Sequence, residues 1–299
     1  MIIVNLDGGL GNQMFQYATG LALSLETGQT VRYSTDTIGT HSTPRSLELT
    51  KVFNLTVNHA DTDDIKRVVG TLRSQRLARK IFSKPYSRYI RGSRFISDDR
   101  LKVSPNLAGR CSKGAYLHGY WQSEAYFRRY QEHVLESFKF MPFADLKNIK
   151  CREELVSSHS IGVHVRRGDY VAKTKASQTH YVLPKSYYLS AIAKLRGRQP
   201  QAKVFFFSDD PAWVKKHLRS KIYNSEVIDH NADNDHHNDM QLLSLCNSIV
   251  IANSSFSWWA AWLNRNEHKT IVAPERWFAK NSLNSSSIIP QGWDVSTFE

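Results

Sequence analysis

The chain has 299 residues, 41% hydrophobic and 11% aromatic, with a formal net charge of +13. That length accommodates two domains of ordinary size, and the apolar content fills a core, which excludes a disordered or fibrous chain. No apolar run reaches the roughly 18–20 residues of a membrane span. The start, Met1 to Leu6, has no positive n-region or cleavage site and is read as a strand, not a signal peptide. Cys111, Cys151 and Cys246 are far apart and in no metal spacing, as expected of reduced thiols in a cytoplasmic enzyme.

The first 35 residues predict a βαβ start. Met1–Leu6 is a strand, Asp7–Gly11 a tight turn, and about Asn12–Thr27 a helix with apolar residues at Phe15, Ala18, Leu21, Ala22 and Leu25. Val31 to Tyr33 begins the next strand. The middle, about 60–150, is less regular, with helical stretches at Ile65–Leu72 and Tyr126–Phe138.

From Ser160 onward strands and helices alternate. Ile161–Val165 is a strand, Pro184–Leu195 a helix, Lys203–Phe207 a strand, and Pro211 opens a helix. Val227–Ile228, Ser248–Ala252 and Thr270–Ala273 are strands; Met240–Leu245 and Phe256–Leu263 are helices. Such alternation predicts a mostly parallel sheet with right-handed crossovers. The expected picture is α/β, two Rossmann-like halves across a cleft, with a boundary near 150–158.

In an open α/β sheet ligands bind at the carboxyl ends of strands, and four segments end strands in polar chemistry. Gly8-Gly9-Leu10-Gly11-Asn12-Gln13 is a glycine turn before a helix. Its backbone N–H groups can approach an anion, and Asn12 and Gln13 offer amides. His164-Val165-Arg166-Arg167-Gly168-Asp169 ends an apolar run in two forked guanidiniums suited to a diphosphate, with His164 and Arg166 on one face. Ser208-Asp209-Asp210-Pro211 places Asp210 as a helix cap and leaves Asp209 able to meet guanine or a ribose. Asn253-Ser254-Ser255-Phe256 sets hydroxyls at a helix start, where they cap the helix or serve a phosphate. Trp258, Trp259 and Trp262 fall at helical spacing and read as core. Asp235 to Asp239 reads as a solvated loop capped by Asp239, not as a metal site.

Together these segments resemble the bacterial α-1,2-fucosyltransferase family. The likeness rests on Gly8 to Ala18, His164 to Tyr170, Phe207 to Pro211 and Ile251 to Trp259, with Gly119-Tyr120-Trp121-Gln122-Ser123 as a further segment. The resemblance implies a GT-B fold, with residues 1–155 an N-terminal acceptor-side domain and 156–299 a C-terminal donor-binding domain. It implies GDP-β-L-fucose as donor, the 2-hydroxyl of a galactose in a glycan as acceptor, inversion at the anomeric carbon and no metal cofactor, in bacterial surface polysaccharide synthesis. Carried onto this sequence, His164 and Arg166 meet the donor with Arg167 beside them. Asp209, next to Ser208, holds the nucleoside. Ser254, Ser255 and Phe256 contact the diphosphate, and Gly11 and Asn12 close the cleft from the other domain. Asp169, Glu124, Asp7 and His164 are open candidates for the base.

Ten basic residues lie between Ile65 and Arg94 (Lys66, Arg67, Arg73, Arg76, Arg79, Lys80, Lys84, Arg88, Arg91, Arg94) with no acidic one among them. The block points to an acidic partner. Here it is read as peripheral contact with an anionic inner-membrane face rather than with nucleic acid. A fucosyltransferase of another linkage, a nicotinamide-dependent oxidoreductase and a basic nucleic-acid-binding protein are the alternatives. Met14, where the dinucleotide fingerprint needs a third glycine, speaks against the oxidoreductase.

Overall fold

The computed structural model describes residues 1–38, 46–70, 94–98, 102–171, 179–231, 235–279 and 286–298, except the side chain of Asp169. The chain divides into two compact units, Met1–Phe140 and Met141–Glu299. The division falls ahead of the boundary expected near 155. Helix Leu146–Ser157 buries Cys151 and Leu155 and packs against helix His236–Leu243, both within the second unit.

In the first unit β1 (Ile2–Asn5) is buried at every position. That is the pattern of a parallel strand covered on both faces. Helix α1 (Leu10–Thr27) follows and buries Leu10, Met14, Phe15, Ala18 and Ala22 along one stripe. Leu25, expected on that stripe, is 41% exposed in the last turn. Then come β2 (Val31–Ser34), α2 (Thr62–Val69), β3 (Phe95–Ser97) and β4 (Ala115–His118). Among the described residues the strand order is β2-β1-β4-β3, parallel throughout.

Two expectations shift here. Helix α2 starts at Thr62, because Asp61 and Asp64 form a reciprocal capping box, and it stops before Gly70. The stretch from Tyr126 is α-helical only over Gln131–Ser137, after two 3-10 turns.

The second unit begins with α3 (Leu146–Ser157) and β5 (Ser160–Val165). It continues with α4 (Gly168–Val171), α5 (Lys185–Arg198), β6 (Lys203–Ser208), α6 (Pro211–His217) and β7 (Ser225–Ile228). It closes with α7 (His236–Leu243), β8 (Ser248–Val250), α8 (Ser255–Leu263), β9 (Thr270–Pro274) and β10 (Asp294–Ser296). The described sheet runs β10-β9-β8-β5-β6-β7, again parallel. Val163, Phe206 and Val250 of the central strands pack with Tyr187, Ile192 and Leu195 of α5.

The polar three-residue β10 has no strand signature and was not expected. Helix α7 starts four residues earlier than expected, since it opens at His236 and not Met240. Asp239 is therefore no cap before the helix. It is a buried carboxylate in the first turn. Trp258 and Trp259 are fully buried, and the Trp258 indole N–H donates to the Ile288 carbonyl at 2.7 Å, as core residues do.

Candidate active site

Three of the four polar strand ends fall side by side. β5 lies between β8 and β6, so the turns after Val165, Ser208 and Val250 open on one edge of the second unit's sheet.

The Asp209 carboxylate gathers the Arg-Arg-Gly turn. Its Oδ1 accepts the Arg167 backbone N–H at 2.8 Å, and its Oδ2 accepts that of Gly168 at 3.0 Å. Oδ2 also lies 3.1 Å from an Arg166 guanidinium nitrogen. Ser208 Oγ donates to the Val165 carbonyl at 2.8 Å, tying the two strand ends together. Asp210 caps α6 by accepting the Trp213 N–H, as its place before Pro211 predicts.

The two arginines take different surroundings. Arg166 lies beside Asp209 and 5.8 Å from the Tyr170 ring. Arg167 stacks over Trp213 at 4.0 Å, with Nε 3.5 Å from Asp210. Arg167 is thus braced on α6 rather than paired with Arg166 around a single point.

His164 is buried at the end of β5, its ring 5.3 Å from that of Phe256, and its Nδ1 has no hydrogen-bond partner among the described residues. Burial, and then the positive Arg166, push its pKa down from 6.5 to about 3, so the ring is neutral. A neutral ring with so low a pKa is a weak proton acceptor. Ser254 caps α8, its Oγ accepting the Phe256 N–H at 3.3 Å, so the capping role is occupied while the helix N-terminus stays at the strand edge. Ser255 opens that helix. The Asp169 side chain lies outside the described residues.

Two residues given no role from sequence, Tyr170 and Trp213, brace this edge, and Asp239, read from sequence as a cap, takes a different place. Tyr170 donates its hydroxyl to the Asn253 carbonyl at 3.1 Å, linking the arginine turn to the serine turn. Trp213 supports Arg167. Asp239 is buried on α7 near His236, whose ring sits 6.0 Å from Phe256. Burial raises the Asp239 carboxyl to about 7, against the hydrogen bond from Asn231 and the charge of His236. Spacing holds no signal for the burial of Asp239, because only the fold covers it.

The fourth segment lies in the first unit. Gly8 has φ +80°, and a Cβ there would sit 2.6 Å from the Asn12 amide. The Asn12 Oδ1 accepts from Gln122 at 2.8 Å, and Gly11 is buried in the first turn of α1. Gln13, expected to offer its amide to a ligand, is fully buried and committed to the Gly8 and Ser46 carbonyls and the Glu48 N–H. That expectation is corrected. Trp121 holds a left-handed φ of 55°, costly for a bulky residue, while Asp98 accepts the Tyr120 and Trp121 N–H groups.

Among the described residues no group of three or more His, Cys, Asp or Glu could hold a metal ion. No described helix is long and apolar enough to cross a membrane. Of the basic block, 71–93 lies outside the described residues; on α2, Lys66 pairs with Asp63 and Arg67 with Asp64.

The family model described as Glycosyl transferase family 11 matches residues 87–296. The chain belongs to glycosyl transferase family 11. Membership sets aside the oxidoreductase and nucleic-acid readings. The family 11 chain is 32% identical to an α-1,2-colitosyltransferase of Escherichia coli over 98% of each chain. It is 29% identical to the O-antigen biosynthesis glycosyltransferase WbnK of the same species, over 96% of this chain and 98% of that one. The fucosyltransferase NodZ from Bradyrhizobium superposes with a TM-score of 0.53 at 17% identity, covering 87% of this chain and 91% of NodZ. The fold is accordingly GT-B, built from two α/β units with parallel sheets.

Proposed function

We propose that this glycosyltransferase moves L-fucose from GDP-β-L-fucose to the 2-hydroxyl of a galactose, with inversion and without a metal, in assembly of a bacterial surface polysaccharide. The observation that carries the reading is that the Arg166 turn and the Ser254–Phe256 helix start follow the adjacent strands β5 and β8 at one sheet edge, in a family 11 chain similar along its length to an α-1,2-colitosyltransferase.

As the bond from the fucose C1 to the diphosphate oxygen breaks, positive charge grows on the sugar and negative charge on the departing diphosphate. A guanidinium and the N–H groups of a helix start stabilise that negative charge where it develops. The acceptor hydroxyl attacks C1 from the opposite face and loses its proton. His164, held neutral by burial, is a weak proton acceptor; Asp169, Glu124 and Asp7 are the other candidate bases. Arg167, Ser208, Asp209, Ser255 and Phe256 complete the donor side; Gly11 and Asn12 belong to the first unit. The basic block at 65–94 holds the enzyme at an anionic inner-membrane face, where a lipid-linked acceptor waits.

The likeness to a colitosyltransferase favours a second reading, in which the donor sugar is colitose, a fucose without its 3-hydroxyl. Purified protein incubated with GDP-fucose or GDP-colitose, EDTA and a panel of β-galactosides tests both. An α-1,2-fucosyl product formed in EDTA supports the first reading. Transfer of colitose alone replaces the donor, and activity that returns only with manganese overturns metal independence.

A further inference from the structure

We infer that Asp209 is a positioning residue for Arg166 rather than a contact for the nucleoside. The inference rests on the reading of Arg166 as the diphosphate grip.

A carboxylate at a strand end is an obvious partner for guanine or ribose, and that is how the sequence alone presents Asp209. The geometry assigns it other work. Its two oxygens receive the Arg167 and Gly168 backbone N–H groups and the Arg166 guanidinium, at 2.8, 3.0 and 3.1 Å. An ionised carboxylate has about four lone-pair sites, and three are engaged by one turn. The arrangement also explains Gly168. A Cβ on that residue would stand 2.8 Å from Asp209 Oδ2, too close for the carboxylate to keep its place.

The neighbours point the same way. Ser208 pins the end of β6 to the end of β5 through the Val165 carbonyl, so Asp209 is delivered at a fixed height beside the turn. Asp210 caps α6 and pairs with Arg167, so the second carboxylate of the motif also faces the arginines. The Ser-Asp-Asp turn is a latch on the Arg-Arg-Gly turn. A guanidinium held by one of its own nitrogens is oriented before the donor arrives, and the entropy of fixing a long side chain is already spent.

The test is a double-mutant cycle with the full-length protein, read in kcat and in binding of GDP and of guanosine by calorimetry. Asp209→Asn keeps one acceptor oxygen but loses the charge and sets an amide against the Gly168 N–H. It is expected to lower kcat on the order of 100-fold, as a misplaced catalytic group does, with KM for the acceptor and affinity for guanosine unchanged. In an Arg166→Ala background the same substitution should cost little further, because its effect runs through Arg166. Gly168→Ala, which moves the carboxylate without altering any charge, is expected to reproduce the fall in kcat.

Losses that multiply in the double mutant overturn the inference, as does weaker guanosine binding by Asp209→Asn. Unchanged kcat in Gly168→Ala also overturns it. Should wild-type protein fail to bind GDP at all, the donor reading and this inference fall together. Additive losses with normal GDP binding remove this inference alone.

Discussion

Tyr170 and Asn253 join two segments that are far apart in sequence. The Tyr170 hydroxyl, on the turn that carries the arginines, donates to the Asn253 main-chain carbonyl beside the serine cap, at 3.1 Å and out of solvent. Asn253 is itself fixed, its amide donating to the Tyr181 and Trp277 carbonyls at 2.8 and 2.7 Å. The arginine turn and the α8 N-terminus are thereby held in register. Tyr170→Phe removes the donor and leaves a buried carbonyl with one hydrogen bond fewer. A loss of about 1–3 kcal/mol in urea denaturation is expected, together with a higher KM for the donor. Unchanged stability and KM would make the contact incidental.

Arg166→Ala should leave the fold intact, because the side chain sits at the sheet edge and about a quarter of it is exposed. Its catalytic cost is expected to be on the order of 100- to 1,000-fold in kcat, or about 2.7–4 kcal/mol of transition-state stabilisation. Arg166→Lys should recover only part, since a point charge replaces a planar fork that meets both Asp209 and an anion. Circular dichroism and steady-state kinetics on the same preparations separate folding from chemistry. Turnover close to wild type in Arg166→Ala would remove Arg166 from the mechanism.

The order of elements was legible wherever apolar runs are continuous. Ile161–Val165 and Lys203–Phe207 are such runs because both faces of a central parallel strand are covered. β10 was illegible because a three-residue polar edge strand has no periodicity. The start of α7 was misplaced because Asp239 reads as a cap on composition and is in fact buried by the fold. Strand ends flagged His164, Arg166, Asp209 and Ser254, since chemistry in an α/β sheet collects there. What each side chain touches was not legible. Asp209 facing Arg166, Arg167 lying on Trp213, and Gln13 absorbed by backbone all depend on neighbours distant in sequence.

His164 predicts an acid-side loss of stability. Its pKa falls from 6.5 to about 3 on folding, chiefly through burial and then through Arg166. Below about pH 6.5 the unfolded chain takes up a proton that the folded chain refuses until about pH 3. The contribution of His164 to stability therefore declines as pH falls through that window and is constant above it. A shift of that size is worth on the order of 5 kcal/mol at most. His164→Phe should remove this contribution, and pH–rate profiles of the free enzyme should show no limb near pH 6.5 that disappears in the variant. A limb that does disappear would return His164 to the list of bases.

Asp239 predicts the opposite slope, and the pair gives a sharper test than either alone. Burial raises its carboxyl from 3.8 to about 7; the Asn231 hydrogen bond and the charge of His236 lower it, and Asp229 raises it. Between about pH 4 and pH 7 the folded chain holds a proton that the unfolded chain has released, so stability falls as pH rises and levels off above pH 7. Asp239→Asn keeps an oxygen for the Asn231 donor and removes the titration. In the wild type the two residues oppose each other from about pH 4 to 6.5, and the thermal midpoint should be nearly flat there. Asp239→Asn should uncover the rising His164 slope, and His164→Phe the falling Asp239 slope. The double variant should be flat again, because neither site exchanges a proton on unfolding. Parallel curves for wild type and Asp239→Asn across pH 4 to 8 would show that the carboxylate is ionised in the folded protein.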